Sequence, residues 1–167
     1  MEKLWSPWRS NYIKSFKDKD ESEKCVFCFA ESLNIENDDN LVVRKSKLTF
    51  TMLNLYPYNS GHLMIIPYRH VSDILEITPD ENLEILSEVQ KAVKALNYIS
   101  KPHGFNIGAN IGKAAGAGID QHIHFHVLPR WTGDTNFMPA IGNVKVISQD
   151  LLESKKSIIK SYDDLGL

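Results

Sequence analysis

The 167-residue chain is expected to fold as an α+β domain, with a mainly antiparallel sheet, one long helix and a C-terminal helix. Three observations predict this class. Short β-rich runs follow one another through tight turns between residues 41 and 67. A stretch of helical periodicity interrupts them between residues 78 and 101. A second amphipathic stretch, DLLESKKSIIKSYDDL, closes the chain.

The elements can be justified in order. Residues 1–24 read as an aromatic arm, with Trp5, Trp8, Tyr12 and Phe16, followed by the polar linker KDKDESEK. Such an arm cannot form a core alone and should lie against the domain or a second subunit. The main domain is expected over residues 25–147 and a helical tail over 148–167. LVVRK and LTFTML are two strands broken at Ser46-Lys47. Pro57, Asn59 and Gly61 mark a turn, after which HLMIIP reads as a buried strand ended by Pro67. Thr78-Pro79-Asp80-Glu81 is a helix start, with proline near the first helical position and acids in the first turn. Leu83, Leu86, Val89, Val93 and Leu96 recur at helical spacing up to a stop before Pro102-His103-Gly104. FNIGANIG is a strand, KAAGAG a glycine-rich loop, IDQHIHFHVLPR a strand stopping at Pro129, and NVKVIS a last short strand.

Composition narrows the function classes. The apolar fraction is 43% and the formal net charge −2, so no global attraction draws the chain to nucleic acid or an anionic membrane. No apolar run approaches the roughly 20 residues that span a bilayer. The start MEKLWSPWRSNYIK lacks the apolar stretch of a secretory signal, which makes a cytoplasmic location the expectation. The two cysteines, Cys25 and Cys28, are too few for a disulfide framework. Their C-x-x-C spacing reads as half a metal site or as a redox pair. The charged flank before the motif does not fit the strand that a thioredoxin-like pair requires.

Half of the chain's six histidines fall in QHIHFHVLPRW. Side chains on a strand alternate between faces, so His122, His124 and His126 should share one face and leave Ile123, Phe125 and Val127 for the core. Two chemistries use such a row. Neutral imidazoles can hold zinc with an open position for water. Alternatively, one ring nitrogen attacks an electrophile while its neighbours fix the tautomer and handle the proton. Accidental clustering on the surface is improbable. Gly116, Ala117 and Gly118, just upstream, form a loop whose N–H groups can approach anionic oxygens closely. Lys113 adds charge there or is simply solvated. Asn54 and His62 could hydrogen-bond a base or ribose, or stabilise the turn between them.

LNLYPYNSGHLMIIPYRH together with GFNIGANIGKAAGAGIDQHIHFHVLPRW resembles the histidine-triad (HIT) superfamily of nucleotide hydrolases and transferases. The resemblance spans roughly residues 25 to 140. LWSPWRSNYI, CVFC and PRWTGDTNFMP are similar to bacterial proteins related to the Fhit branch and to diadenosine tetraphosphate phosphorylases. AGAGID replaces the glycine, glutamine and serine usual in the phosphoramidase branch.

The resemblance implies a HIT-like fold and cleavage of dinucleoside polyphosphates or related adenylylated compounds through a nucleotidyl-histidine. Alternatives are a nucleoside phosphoramidase, a nucleotide-binding module with little turnover, and a zinc hydrolase using all three histidines as ligands. By the resemblance His124 is the nucleophile, flanked by His122, with His126 and His62 bonding the phosphate or departing group. Asn110 and the loop at Gly116, Ala117 and Gly118 contact phosphate, and Asn54 completes the nucleotide site; Trp131 and Phe137, after the triad, either line its base or distal-nucleotide side or simply pack. Relatives with C-x-x-C imply a structural zinc on Cys25, Cys28, His70 and His122. No organic cofactor is implied, and the expected partners are an adenine nucleotide or dinucleoside polyphosphate and a second copy in a homodimer. His103 is read as a helix-end or surface residue.

Overall fold

The computed structural model describes residues 25–134 and 150–167. The aromatic arm, Phe137 and the expected strand NVKVIS at 143–148 lie outside the described residues. A short helix α1, Val26–Ala30, follows Cys25. Strands β1 (Val42–Lys45), β2 (Thr49–Leu53) and β3 (Leu63–Pro67) come next. Helix α2 covers Pro79–Ser100, β4 Gly104–Gly108, β5 Phe125–Arg130 and α3 Leu151–Asp164.

The sheet order is β1-β2-β3-β5-β4, with every pairing antiparallel. All residues of β2 and β3 are buried, as both strands lie inside the sheet with a neighbour on either side. Met52 pairs with Met64 and Met64 with His126, so these side chains share a face. Leu53, Leu63, Ile65 and Val127 take the opposite face and are completely buried. Helix α2 packs across β2, β3 and β5, and α3 packs on α2 and β1.

The start of α2 is as the sequence predicts. Thr78 caps it, and the Glu81 carboxylate accepts from the Thr78 N–H in a capping box with Pro79 in the first turn. Arg69 clamps the same Glu81 through two bonds of 2.7 Å. The buried stripe differs from the expected one. Leu83 and Leu86 are 72% and 62% exposed, whereas Ile85, Val89, Ala92, Ala95 and Leu96 are buried. Reading only large residues misplaced the stripe; the two alanines let the helix approach the sheet closely.

Two strand boundaries also differ. β5 runs through Pro129, which pairs with Phe105, and ends at Arg130. At its other end β5 starts only at Phe125, where pairing with β3 stops at Ile65. The Ile123 N–H bonds the Val71 carbonyl at 2.7 Å, outside the ladder. His122 and His124 therefore precede the regular strand, and the three histidines do not share one environment. The turn before β3 needs Gly61, whose φ is +74°; a Cβ there would sit 3.1 Å from the Leu96 side chain.

Candidate functional site

A cleft of about 460 Å³ opens on the sheet face that carries Met52, Met64 and His126. His124 and His126 line it, as do Asn54, Asn110, Gly116 and Gly118. The β4–β5 connection brings the glycines there through a short 3₁₀ turn, Lys113–Ala115, closed by Gly116 at φ +88°. A Cβ added at Gly116 or Gly118 would meet nothing within 4 Å, so their backbone stays open to a ligand. Ala117 lies between them with its N–H bonded to Gly112. Lys113 pairs with Asp120 at 3.7 Å and is mostly solvated.

Hydrogen bonds fix the proton on each imidazole. A carbonyl only accepts, so His124 Nδ1, at 2.9 Å from the His122 carbonyl, must donate. Its lone pair is then on Nε2, and the ring lines the cleft. His62 Nδ1 accepts from the Tyr58 N–H at 3.1 Å and from the Asn54 amide at 3.3 Å. The proton of neutral His62 is therefore on Nε2, which donates to His126 Nδ1 at 2.9 Å. His126 is left with its N–H at Nε2; the Asn110 Nδ2, 3.5 Å away, is also a donor, so the two do not bond each other and can share an acceptor. His62 and His122 are both 0% exposed, whereas the cleft is lined by His124 and His126. His62 thus acts on the cleft through His126 and does not reach it itself.

All four rings are held neutral at ordinary pH. Burial pushes His62 down to about 3, helped by the neighbouring His126 and His124. Burial and then His124 push His126 down to about 4. Burial also lowers His124, against the opposing hydrogen bond to the His122 carbonyl. His122 is lowered by burial too, opposed by its bond to the Pro67 carbonyl.

His122 turns away from the cleft. Its Nε2 donates to the Pro67 carbonyl at 2.9 Å, which leaves the Nδ1 lone pair facing Cys25 Sγ at 3.3 Å and Cys28 Sγ at 3.7 Å. His70 Nδ1 is 3.2 Å from Cys28 Sγ. The four donor atoms lie within 4.8 Å of one another. A tetrahedral ion with Zn–S near 2.3 Å and Zn–N near 2.0 Å requires sulfur–nitrogen separations of about 3.5 Å, and the observed spacings bracket that value. Burial, and next Cys25, push the Cys28 thiol up to about 11. The donor set fits a closed structural dication site, not a site with an open position.

Sequence reasoning missed the apolar wall of the cleft. Val26, Phe27, Met52, Met64, Ile119 and Tyr58 line it. The register of β2 and β3 would have found the methionines, each two residues from Asn54 or His62 on the same face. Trp131 lies elsewhere. It does not line this cleft; its indole N–H bonds the Ser100 carbonyl at 3.3 Å, beside a second cleft against α3. Asn54 lines the cleft, and its Oδ1 stabilises the turn by accepting the Tyr56 N–H at 2.9 Å. His103 is a surface tie, accepting the Thr132 N–H at 2.9 Å.

The HIT domain family matches residues 34–133, a span that contains the cleft loop, His62 and all three clustered histidines. The chain belongs to the HIT domain family. A Mycobacterium tuberculosis relative named AP-4-A phosphorylase is 42% identical over 165 residues, covering 97% of this chain and 85% of that protein. A histidine triad nucleotide-binding protein from Sulfolobus tokodaii superposes with a TM-score of 0.66 at 27% identity, over 84% of this chain and 93% of that one. A Zn-bound histidine triad family protein from Mycobacterium smegmatis gives 0.67 at 24% identity, over 86% and 96%, a likeness of fold. This HIT chain has the α+β sheet of its structural neighbours, and among the described residues no helix is long and apolar enough to cross a membrane.

Proposed function

We propose that this HIT protein is a nucleotidyl hydrolase or transferase acting on dinucleoside polyphosphates, with His124 as nucleophile. The observation that carries this is the His124 tautomer: its Nδ1 donates to the His122 carbonyl, so a neutral Nε2 lone pair is available in the cleft. Nε2 attacks the α-phosphorus. A nitrogen–phosphorus bond forms as the bond to the bridging oxygen breaks, and the electron pair leaves with the polyphosphate. The ring becomes a nucleotidyl-imidazolium whose Nδ1–H still bonds the His122 carbonyl. The His126 Nε2–H and the Gly118 N–H hydrogen-bond the phosphoryl oxygens, with Asn110 beside them, while the Gly116 and Ala117 N–H groups bond the Lys113 and Gly112 carbonyls and shape the turn. A polyphosphate is already a stable anion and needs no full proton transfer to depart. An acceptor oxygen then displaces neutral His124 and loses its proton to solvent.

The relative named AP-4-A phosphorylase favours a diadenosine polyphosphate as substrate and inorganic phosphate as acceptor. Cys25, Cys28, His70 and His122 would hold a zinc ion, whose contribution there is to crosslink the segment before α1 to the histidine segment. A homodimer is favoured by the edge position of β4 and by the exposed Leu83 and Leu86 on α2.

A substrate panel tests the reading. Diadenosine tetraphosphate should give ATP and ADP with inorganic phosphate as acceptor, or ATP and AMP with water. Adenosine phosphoramidate as the preferred substrate would move the assignment to a phosphoramidase. No turnover of any member, with AMP still bound, would leave a nucleotide-binding module.

A further inference from the structure

We infer that Asp134 is a positioning residue for the His62–His126 pair: through Asn59 it anchors the turn whose Tyr58 N–H decides which nitrogen of His62 carries the proton. The consequence for turnover rests on the nucleotidyl-transfer reading above; the anchoring is a property of the folded chain.

Asp134 is built into the exit of β5. Its carboxylate accepts from Arg130 Nε at 2.7 Å and Nη2 at 2.9 Å, and from the Trp131 N–H at 3.1 Å. Arg130 is tied in turn to the Asn106 side chain on β4 by a bond of 2.7 Å. A fork of this kind holds a carboxylate in one orientation. Asp134 Oδ2 then accepts from the Asn59 amide at 2.8 Å, and the same amide reaches the Pro129 carbonyl at 3.1 Å. Asn59 is 8% exposed and lies in the turn between β2 and β3. The base of that turn is closed by the Asn54 N–H on the His62 carbonyl at 2.9 Å. Neither Asn59 nor Asp134 lines the cleft.

Tyr58, the residue before Asn59, carries this anchor to the histidines. Its N–H donates to His62 Nδ1 at 3.1 Å, and its ring stands 4.8 Å from the His62 ring and 6.0 Å from the His126 ring. The neutral pair has two self-consistent proton arrangements. In one, both rings carry the proton on Nε2, and His126 turns an N–H to the cleft. In the other, both carry it on Nδ1: His126 donates back to His62 Nε2 and turns a lone pair to the cleft, where it repels a phosphoryl oxygen. The second arrangement would set the His62 Nδ1–H against the Tyr58 N–H, two donors 3.1 Å apart. The turn therefore selects the first for as long as it is held in place. Asn54 is the weaker guard, with its amide 3.3 Å from Nδ1 on a side chain that also lines the cleft. A side-chain amide can turn over and accept a proton; a backbone N–H in an anchored turn cannot.

The test reads the protons directly, by nitrogen NMR of the imidazoles in the intact, zinc-loaded chain with isotope-labelled histidine and no nucleotide. Wild type should show His62 and His126 each protonated on Nε2. Asn59→Ala and Asp134→Asn should both introduce the Nδ1–H form at His62 and His126 together, leaving His122 and His124 unchanged. With diadenosine tetraphosphate the same variants should lose about tenfold in kcat with KM within about twofold of wild type. Asn59→Ala leaves Asp134 bound to Arg130, so it supplies a folded protein even where Asp134→Asn does not fold. Folded variants whose rings stay protonated on Nε2, or a fall in kcat with no change of tautomer, would overturn the inference. So would an Nδ1–H on His62 in wild type. A tautomer shift in variants of a protein that turns over no dinucleotide would sustain the anchor and overturn the nucleotidyl-transfer reading alone.

Discussion

His122 and His124 are two residues apart in one segment, yet their rings do opposite work. His122 gives its Nε2 proton to the Pro67 carbonyl and presents Nδ1 to two thiols. His124 gives its Nδ1 proton to the His122 carbonyl and keeps Nε2 for the cleft. Neither ring has a different intrinsic chemistry. Which nitrogen meets a carbonyl decides which one keeps a lone pair, and the backbone on either side decides where that lone pair points. The same residue, His122, links the halves: its side chain belongs to the cluster that could hold a metal and its carbonyl sets the tautomer of His124, the proposed nucleophile.

The largest expected effect breaks the cleft half alone. His124→Ala should lower kcat by roughly 10⁴-fold or more, as loss of a covalent nucleophile does. AMP affinity and zinc stoichiometry should stay within about twofold, because neither depends on Nε2. Steady-state turnover of diadenosine tetraphosphate with parallel metal analysis checks this. Loss of zinc in this variant would mean that the two halves are one metal centre.

Next in size is the support behind the cleft. His62→Leu removes the donor to His126 Nδ1 and frees His126 to carry its proton on either nitrogen. The expected cost is about 10²-fold in kcat, the range for a misdirected proton-handling group, with little change in KM. His62→Gln, which can still donate to Nδ1, should recover part of the loss. Equal losses in both variants would show that His62 only fills space.

Much of the fold was legible in the sequence because local signals agreed with the tertiary outcome. The cap at Thr78-Pro79, the stop before Pro102 and the buried run HLMIIP each rest on a few neighbouring residues. The chemistry-bearing residues were legible for a different reason: histidine is scarce, and five positions holding three of them stand out. What was hidden depends on contacts far apart in the chain. The divergence of His122 from His124 follows from where β3 ends and from the Val71 carbonyl that captures Ile123. Leu83 and Leu86 looked like core because spacing cannot tell that alanines bring α2 down on another side. Trp131 looked like a ligand contact by its nearness in sequence to the triad, but β5 carries it past the cleft to the end of α2.

A smaller effect on turnover separates the clip half. Cys25→Ser weakens one of the four proposed zinc ligands and should lower zinc content and thermal stability. kcat should fall less than tenfold, since the His122 carbonyl remains on the backbone. Differential scanning calorimetry with and without added zinc checks this: the wild type should gain stability with zinc and the variant little. Unchanged stoichiometry in the variant would remove Cys25 from the ligand set.

The smallest expected effect is the response to mild acid, and it distinguishes the halves without mutation. The ordinary histidine value is 6.5, and burial lowers His124, His126 and His62 below it, the last two to about 4 and about 3. The unfolded chain therefore takes up protons as pH falls through 6.5 before the folded cleft does. That adds stability above this value, lost progressively as pH falls toward 3. Burial lowers His124, the proposed nucleophile, in the same direction, so kcat/KM should change by less than about twofold between pH 8 and pH 6.5, with its acid limb lower still. Zinc content measured over the same range assigns any earlier fall. If activity drops near 6.5 while zinc stays bound, His124 titrates like an exposed imidazole and its buried, carbonyl-bonded environment is wrong. If zinc and activity fall together, the clip fails first and takes the cleft with it through His122.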